Sequence, residues 1–569
     1  MKTLCLNLLF ILVVSCQQHF SKENSFVTMC NPINLNYHFV SDGDILRRDA
    51  ANPCLVLYKD EYYLFMSNGG GYYRSKDMLH WSLISTNLPT EEKAPTVVII
   101  DDCLFFTASG TKSVYKTCHP ETGVWEIAYD NLPYQLAEPM LFYDNGKLYL
   151  YSGSGNSVPL TGMEIDPHTF LPVGQSIPLI KSCKEKNGWE VAGDYHRWKT
   201  LSLWIEGTWM TKYKDKYYLQ YASSGIQYTG SNEGVYVSDN PLGPFTLAKH
   251  NPFAYKPEGF IAGAGNGCVF QDKFGNYWYA GTAVITARYM FERRLSFYPV
   301  FFDKDNTLYA YTGMGDYPMI LPERKISTPD ELFPGWMLLS YNKKTQASSE
   351  LRGCSSWCAV DETIRTWWSA QSGDKGEYLS VDLGEKCTIN AIQINFADQD
   401  VDLCIGSDSL FYQYYLEESE DGKEWHTFMD KPIRTQRTPH DYIQLDSPLC
   451  SRFFRITNVC CSSGKFSVSG FRIFGSSGKT SPEEAEFFCI IRHERDRRDV
   501  TLKWTAVEGA VGYNIHYGTH PDKLYHNYMV YDDTELMIGS LQTEQTYYFA
   551  IDSFNEGGIT RGRKVEKSL

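Results

Sequence analysis

The segment KDKYYLQYA, Lys214–Ala222, returns along the chain in altered copies, and that recurrence governs the architecture. A charged turn leads into an aromatic strand that ends on a small or polar residue. The copies are KDEYYLFMS (Lys59–Ser67), DDCLFFTAS (Asp101–Ser109), NGKLYLYSG (Asn145–Gly153) and FGNYWYAG (Phe274–Gly281). They restart roughly 40 to 70 residues apart, the period of four-stranded sheets repeated around an axis. Second phrases keep step: SKDMLHW closes the first unit and VYVSDNPLGPF holds a similar place in the fourth. A sandwich would supply alternating strands, but not such evenly phrased restarts. The expectation for residues 35–325 is an all-β, five-bladed β-propeller.

At 569 residues the chain is long for one core, and length alone suggests about three or four domains. Aromatic residues make up 15%, with 40 Tyr, 31 Phe and 13 Trp, a supply that suits pleated surfaces. The 53 basic and 68 acidic residues give a formal charge of -15. That argues against a nucleic-acid binder, which needs a basic stripe to displace counterions. It is compatible with a neutral sugar.

The first residues, MKTLCLNLLFILVVSCQQ, combine one early lysine with an apolar run too short to span a bilayer. They read as an export signal. The ending Val13-Val14-Ser15-Cys16 resembles a bacterial lipobox, which implies a lipoprotein signal over residues 1–16, cut so that a lipidated Cys16 becomes the mature N-terminus. The expected location is the bacterial cell envelope, periplasmic or on the outer membrane, with membrane attachment only through that lipid. Setting aside Cys5 and Cys16 leaves 14 of the 16 cysteines, without metal-ligand spacing. Export permits disulfides, but their connectivity is open.

Texture changes near residue 335. DETIRTWWSA, GEYLSVDLGEKCTINAIQINF, YYLEESEDGKEWHTF and SRFFRITN closely resemble the coagulation factor 5/8 type C (discoidin-like) domain, over residues 338–476. The resemblance implies a β-sandwich whose end loops often bind sugars. After SSGKTSPEEAE, the stretch VTLKWTAVEGAVGYNIHYGT and the later LQTEQTYYFAIDSFNEGGIT resemble a fibronectin type III domain, over 486–565. That places Trp504 in its core and has Tyr547 bonding back near Leu541. Both modules are expected to fold around their own cores, and neither implies chemistry.

Glycoside hydrolysis uses paired carboxyl groups, one donating a proton to the leaving oxygen and one activating water. In a ring of sheets, acids distant in sequence can face one another. Residues 40–322 resemble glycoside hydrolase family 43. IEGTWMTKYKDKYYLQYASSG looks like that family's general-acid strand, with Glu206 as the acid. LAEPMLFYDNGKLYLYSG looks like the strand of its pKa-modulating acid, with Glu138 for the usual aspartate. DAANPCLVLYKDEYYLF looks like the opening strand whose aspartate is the base, but the residue before Pro53 is Asn52. FIAGAGNGCVFQD carries Asn266 where the family has a central histidine beside an axial ion or water.

Glu206 lies between Trp204, Ile205 and Trp209, where apolar rings would raise its pKa into a donor's range. Asn52 cannot accept a proton from water. Asp49, three residues earlier, falls on the opposite face of a regular strand and would substitute only across a bulge. In NGWEVAGDYHRW, Trp189 and Glu190 are candidates for sugar contact, as is Arg294 of the Arg293-Arg294 pair, where a salt bridge is the alternative. Glu258 reads as a turn residue before a substitute base. The resemblance implies no required cofactor and is compatible with a structural calcium.

The leading expectation is an exported glycosidase of poly- or oligosaccharides. Its rivals are a carbohydrate-binding lipoprotein without hydrolysis and a three-module adhesion protein. If the lipobox reading holds, Cys16→Ser releases the protein from the membrane fraction while its β signature in circular dichroism persists. Unchanged membrane partitioning of that variant refutes the anchor.

Overall fold

In a computed structural model, residues 26–42, 45–155, 158–201, 204–402, 410–429 and 433–568 are described. The expected export signal and lipidated Cys16 lie outside them. Among the described residues, no helix is long and apolar enough to cross a membrane.

Each aromatic phrase forms the second strand of an antiparallel sheet. The first sheet runs Ala51–Tyr58, Glu61–Ser67, Tyr72–Ser75 and Ser82–Ile84. Four more sheets follow, opened by Lys93–Ile100, Met140–Asp144, Glu206–Tyr213 and Ala262–Gln271. These five opening strands contact one another in cyclic order, the fifth returning to the first. The aromatic strands are buried because the sheets pack face to face. Tyr63 and Phe65 of the first sheet meet Val97, Leu104 and Phe106 of the second. Tyr149 and Tyr151 of the third meet Met210 and Leu219 of the fourth. Both faces are covered, so the strands read as near-continuous apolar runs.

One irregularity recurs at the centre. The opening strands carry, within them or just before their starts, a left-handed residue: Asn52, Ala94, Glu138, Gly207 and Asn266, with φ of 51°, 47°, 49°, 63° and 53°. In four of them the ladder to the second strand slips at this point. Such bulges re-aim side chains, and the five positions surround one small central space. A left-handed Ala or Glu costs about 1–3 kcal/mol, tolerated where surroundings over-determine it. Gly207 is obligatory, since a Cβ there would meet Asn266 Oδ1 at 1.7 Å.

The second domain is a sandwich on the long strands Tyr378–Phe396, His440–Cys461 and Ser467–Ser476, with Trp368, Val381, Ile392 and Phe454 in its core. The third packs a three-stranded sheet with a five-stranded one. Trp504 lies in its core, and the Gln542 amide donates to the Tyr547 hydroxyl at 3.1 Å.

The expected independence of the modules meets a shared interior. One apolar cluster unites Cys30, Met314, Leu338, Phe474, Met529 and Phe554, from all three parts of the chain. Beside it, Arg472 donates to both Glu362 oxygens, at 3.0 and 2.5 Å, and to the Asp316 carbonyl at 2.7 Å. Asp316 in turn pairs with buried Lys256 at 2.8 Å. Removing one partner of such a buried pair strands the other charge, which costs about 3–5 kcal/mol. Arg472→Met is therefore expected to lower unfolding free energy by about that much, measured by urea titration; a change below about 1 kcal/mol contradicts a structural role for the cluster.

Candidate active site

The bulges bring residues from several sheets to the floor of one cleft of about 620 Å³. Asn52, Glu138 and Glu206 all line it, so three sequence candidates from three sheets are assembled. Asn52 donates its Nδ2 to Glu138 Oε2 at 2.6 Å, accepts from Ser67 Oγ at 3.2 Å, and gives its amide N–H to Thr282 Oγ1 at 3.1 Å. An amide with both ends engaged holds its place firmly but accepts no proton from water.

The setting of Glu206 differs from the expected apolar one. Ile205 is buried, and the Trp209 indole turns away to donate to the Val269 carbonyl at 3.1 Å. Trp204 does stay beside Glu206, but half-exposed and as a donor. Its Nε1 reaches Glu206 Oε2 at 2.6 Å, Ser154 Oγ reaches the same oxygen at 2.9 Å, and Asn266 Nδ2 approaches Oε1 at 3.3 Å. Polar contacts surround this acid where rings were anticipated.

The desolvated acid is Glu138. Burial and then the Glu206 charge push its carboxyl up to about 8, against the pull of Arg293, Lys93 and the Asn52 amide. Two carboxyl groups that repel one another at a half-closed floor retain a proton near neutrality. A carboxyl that keeps its proton near neutrality is what a general acid requires.

Asp49 also lines the cleft, contrary to the regular-strand expectation, because the ladder slips between Ala51 and Cys54 around left-handed Asn52. It is not free to act as a base. Arg293 grips it with Nε at 2.9 Å and Nη2 at 2.7 Å, and Asn68 Nδ2 adds a third bond at 2.9 Å.

Three candidates for substrate contact do not reach the cleft. Trp189 and Glu190 are buried, with Tyr221 donating to Glu190 Oε1 at 2.6 Å and Trp189 donating to the Tyr221 hydroxyl at 3.2 Å. They brace the loop instead of meeting ligand. Arg294 points the other way from Arg293, donating to His440 Nε2 at 3.1 Å and to the Arg48 carbonyl at 2.7 Å. Glu258 lies by Tyr195 and Tyr528, where burial lifts it to about 7; it does not line the cleft.

Sequence reading passed over Arg47, Lys93 and Ser154, which line the cleft beside Arg293 of the candidate arginine pair. A signal existed: Asn52-Pro53, Ala94-Pro95 and Glu138-Pro139 mark the same offset in three successive repeats, and Lys93 directly precedes the second of them. Among the described residues, no group of three or more His, Cys, Asp or Glu is placed to hold a metal ion. Asn266, in the place of the resembling family's histidine, is engaged by Glu206 and by Glu233 Oε2, which accepts its N–H at 2.8 Å.

The Glu138 environment has a stability signature. Its folded value of about 8 exceeds the ordinary 4.5. Between these values the folded state holds a proton that the unfolded chain has released. Stability from this group is therefore complete below the lower value, falls as pH rises, and levels off above the upper. Glu138→Gln should remove that slope, so the variant gains on the parent between about pH 5 and pH 8 in chemical denaturation. A difference that is flat with pH contradicts the assignment.

Residues 44–308 match the family model of Glycosyl hydrolases family 43, and residues 344–467 match that of the F5/8 type C domain. A non-reducing end alpha-L-arabinofuranosidase of Bacteroides ovatus is 24% identical over 287 residues, covering 45% of this chain and 50% of the relative. An arabinoxylan arabinofuranohydrolase of Paenibacillus polymyxa is 32% identical over 145 residues, covering 25% of this chain and 21% of the relative. The chain thus spans half or less of the length of these relatives. A solved structure titled glycoside hydrolase aligns over 74% of this chain and 97% of its own, at 18% identity and a TM-score of 0.43. The homologues support a glycosidase reading, and the chain carries a glycosyl hydrolases family 43 domain followed by an F5/8 type C domain.

Proposed function

We propose that this protein is an exported glycoside hydrolase of poly- or oligosaccharides, with Glu206 as proton donor and Glu138 as its electrostatic neighbour. The cyclic set of five sheets is read as a five-bladed β-propeller over 35–325. The sandwich is read as a discoidin-like domain over 338–476, and the buried Trp504 and the Tyr547–Gln542 bond support a fibronectin type III domain over 486–565. The observation that carries the function is the meeting of Asn52, Glu138 and Glu206 on one cleft floor. The relatives' names make arabinofuranosides the first substrates to test.

A second reading rests on Asn52. Its Nδ2 donates to Glu138 where the resembling family has a carboxylate base, and Asp49 is already gripped by Arg293. A cleft that binds sugar without turnover fits that arrangement.

One pair of variants separates the two. Glu206→Gln keeps shape and hydrogen bonding but delivers no proton, so turnover of unactivated glycosides should fall about 10²–10⁴-fold, with sugar affinity largely kept. Asn52→Asp should raise turnover and give inversion at the anomeric carbon, followed by proton NMR. Turnover indifferent to both changes, on every glycoside the cleft binds, removes the hydrolase reading and leaves the binding one.

A further inference from the structure

The cleft has cations to spare. Arg47, Lys93 and Arg293 line it. Only Arg293 has a carboxylate of its own, Asp49. Arg47 donates Nε to the Phe291 carbonyl at 2.9 Å and lies 4.0 Å from the centre of the Tyr289 ring, while its buried Nη1 has no hydrogen-bond partner. Lys93 opens the second sheet as an exposed side chain, and its ammonium has no ion pair or hydrogen bond among the described residues. Its ladder partner is Ser109, whose hydroxyl accepts the Glu138 N–H at 2.8 Å. Lys93 therefore stands next to the carboxyl pair.

The anionic side is thin. Asp49 is spent on Arg293, burial and the Glu206 charge favour the protonated form of Glu138, and Asn52 is neutral where the resembling family carries an aspartate. Glu206 is already engaged by Trp204, Ser154 and Asn266. Two cations without a carboxylate partner, Arg47 and Lys93, at the cleft of a protein of net charge -15 are a local arrangement against the global field. A neutral pentose, recognised through hydroxyl groups, gives it no counterpart. Half-enclosed cations are stabilised when a ligand supplies the opposite charge.

We propose that the cleft takes an acidic sugar, a uronosyl or other carboxylate-bearing glycoside, with Lys93 pairing its carboxylate. This rests on the proposal that the cleft is a sugar site. It also gives the Asn52 substitution a second consequence: the amide removes a negative charge that would repel such a ligand.

The test is calorimetric binding of galacturonan, glucuronoxylan and glucuronate-capped arabinogalactan fragments, each beside its carboxyl-reduced counterpart. At least one acidic fragment should bind about tenfold or more tightly than its reduced form, the span of one charge-assisted hydrogen bond, with the advantage shrinking in salt. Lys93→Met, at an exposed position, should erase the preference and spare the reduced fragments, with an unchanged melting curve as folding control. The proposal is overturned if no acidic fragment outbinds its reduced form, or if the preference survives in Lys93→Met. Binding and turnover are read separately. An acidic fragment bound but never cleaved overturns hydrolysis alone, and neutral fragments cleaved with no acidic preference overturn this proposal alone.

Discussion

The bidentate pair between Asp49 and Arg293 is the interaction on which the cleft depends. It joins the strand entering the first sheet to the last strand pair of the fifth, where the ring of sheets closes. The pair is buried, and a buried pair with matched geometry is costly to break from one side. The next residue along each strand points the opposite way. Arg48 donates to Asp398 at 2.8 Å, and Arg294 to His440, both partners belonging to the sandwich domain. One pair of adjacent residues on each strand thus serves the cleft on one face and the domain junction on the other.

This back-to-back arrangement explains why a domain without chemistry of its own matters to the site. The sandwich fixes Arg48 and Arg294, which fixes the strands that present Asp49 and Arg293. The third domain acts on the other wall. The Gly188 amide donates to the Leu541 carbonyl at 2.9 Å, Lys199 pairs with Asp496 at 2.6 Å and with Asp499, and Arg498 donates to the Lys184 carbonyl at 2.7 Å. The segment so held contributes Ala192 and Leu201 to the cleft. Trp189 and Glu190 are consumed in stiffening it. Ordering a loop in advance spares the entropy that ligand binding would otherwise have to overcome.

At the floor, a shared geometry yields different chemistry in each sheet. The same left-handed turn presents an amide at Asn52, a methyl group at Ala94, a desolvated carboxyl at Glu138 and no side chain at Gly207. The absence of a side chain at Gly207 lets Asn266 reach Glu206. The acid that sequence placed among tryptophans is held by the indole N–H of one of them, Trp204, and by Ser154, while the proton-retaining environment falls on the acid across from it. Backbone strain, repeated around the axis, is the means by which the site is built.

Much of this was legible in the amino-acid order. The spaced aromatic phrases required several sheets with both faces covered, because only burial repays so many rings on successive strands. Asn52, Glu138 and Glu206 are marked as central residues by the resemblance of their segments to glycoside hydrolase family 43. What the order left open was direction. A residue's side of a strand follows from alternation only while the ladder is regular, and a slip of one residue reverses it. Asn-Pro, Ala-Pro and Glu-Pro permit a bulge without announcing a left-handed turn. Asp49 accordingly came to the cleft, and Arg294, Trp189 and Glu190 left it. The partners that decide these outcomes, Arg293 for Asp49 and Leu541 for Gly188, stand far away in the chain. Local pattern fixes which strands form; only their tertiary packing sets which side chains meet, because those contacts exist nowhere until the ring and its two companion domains have closed.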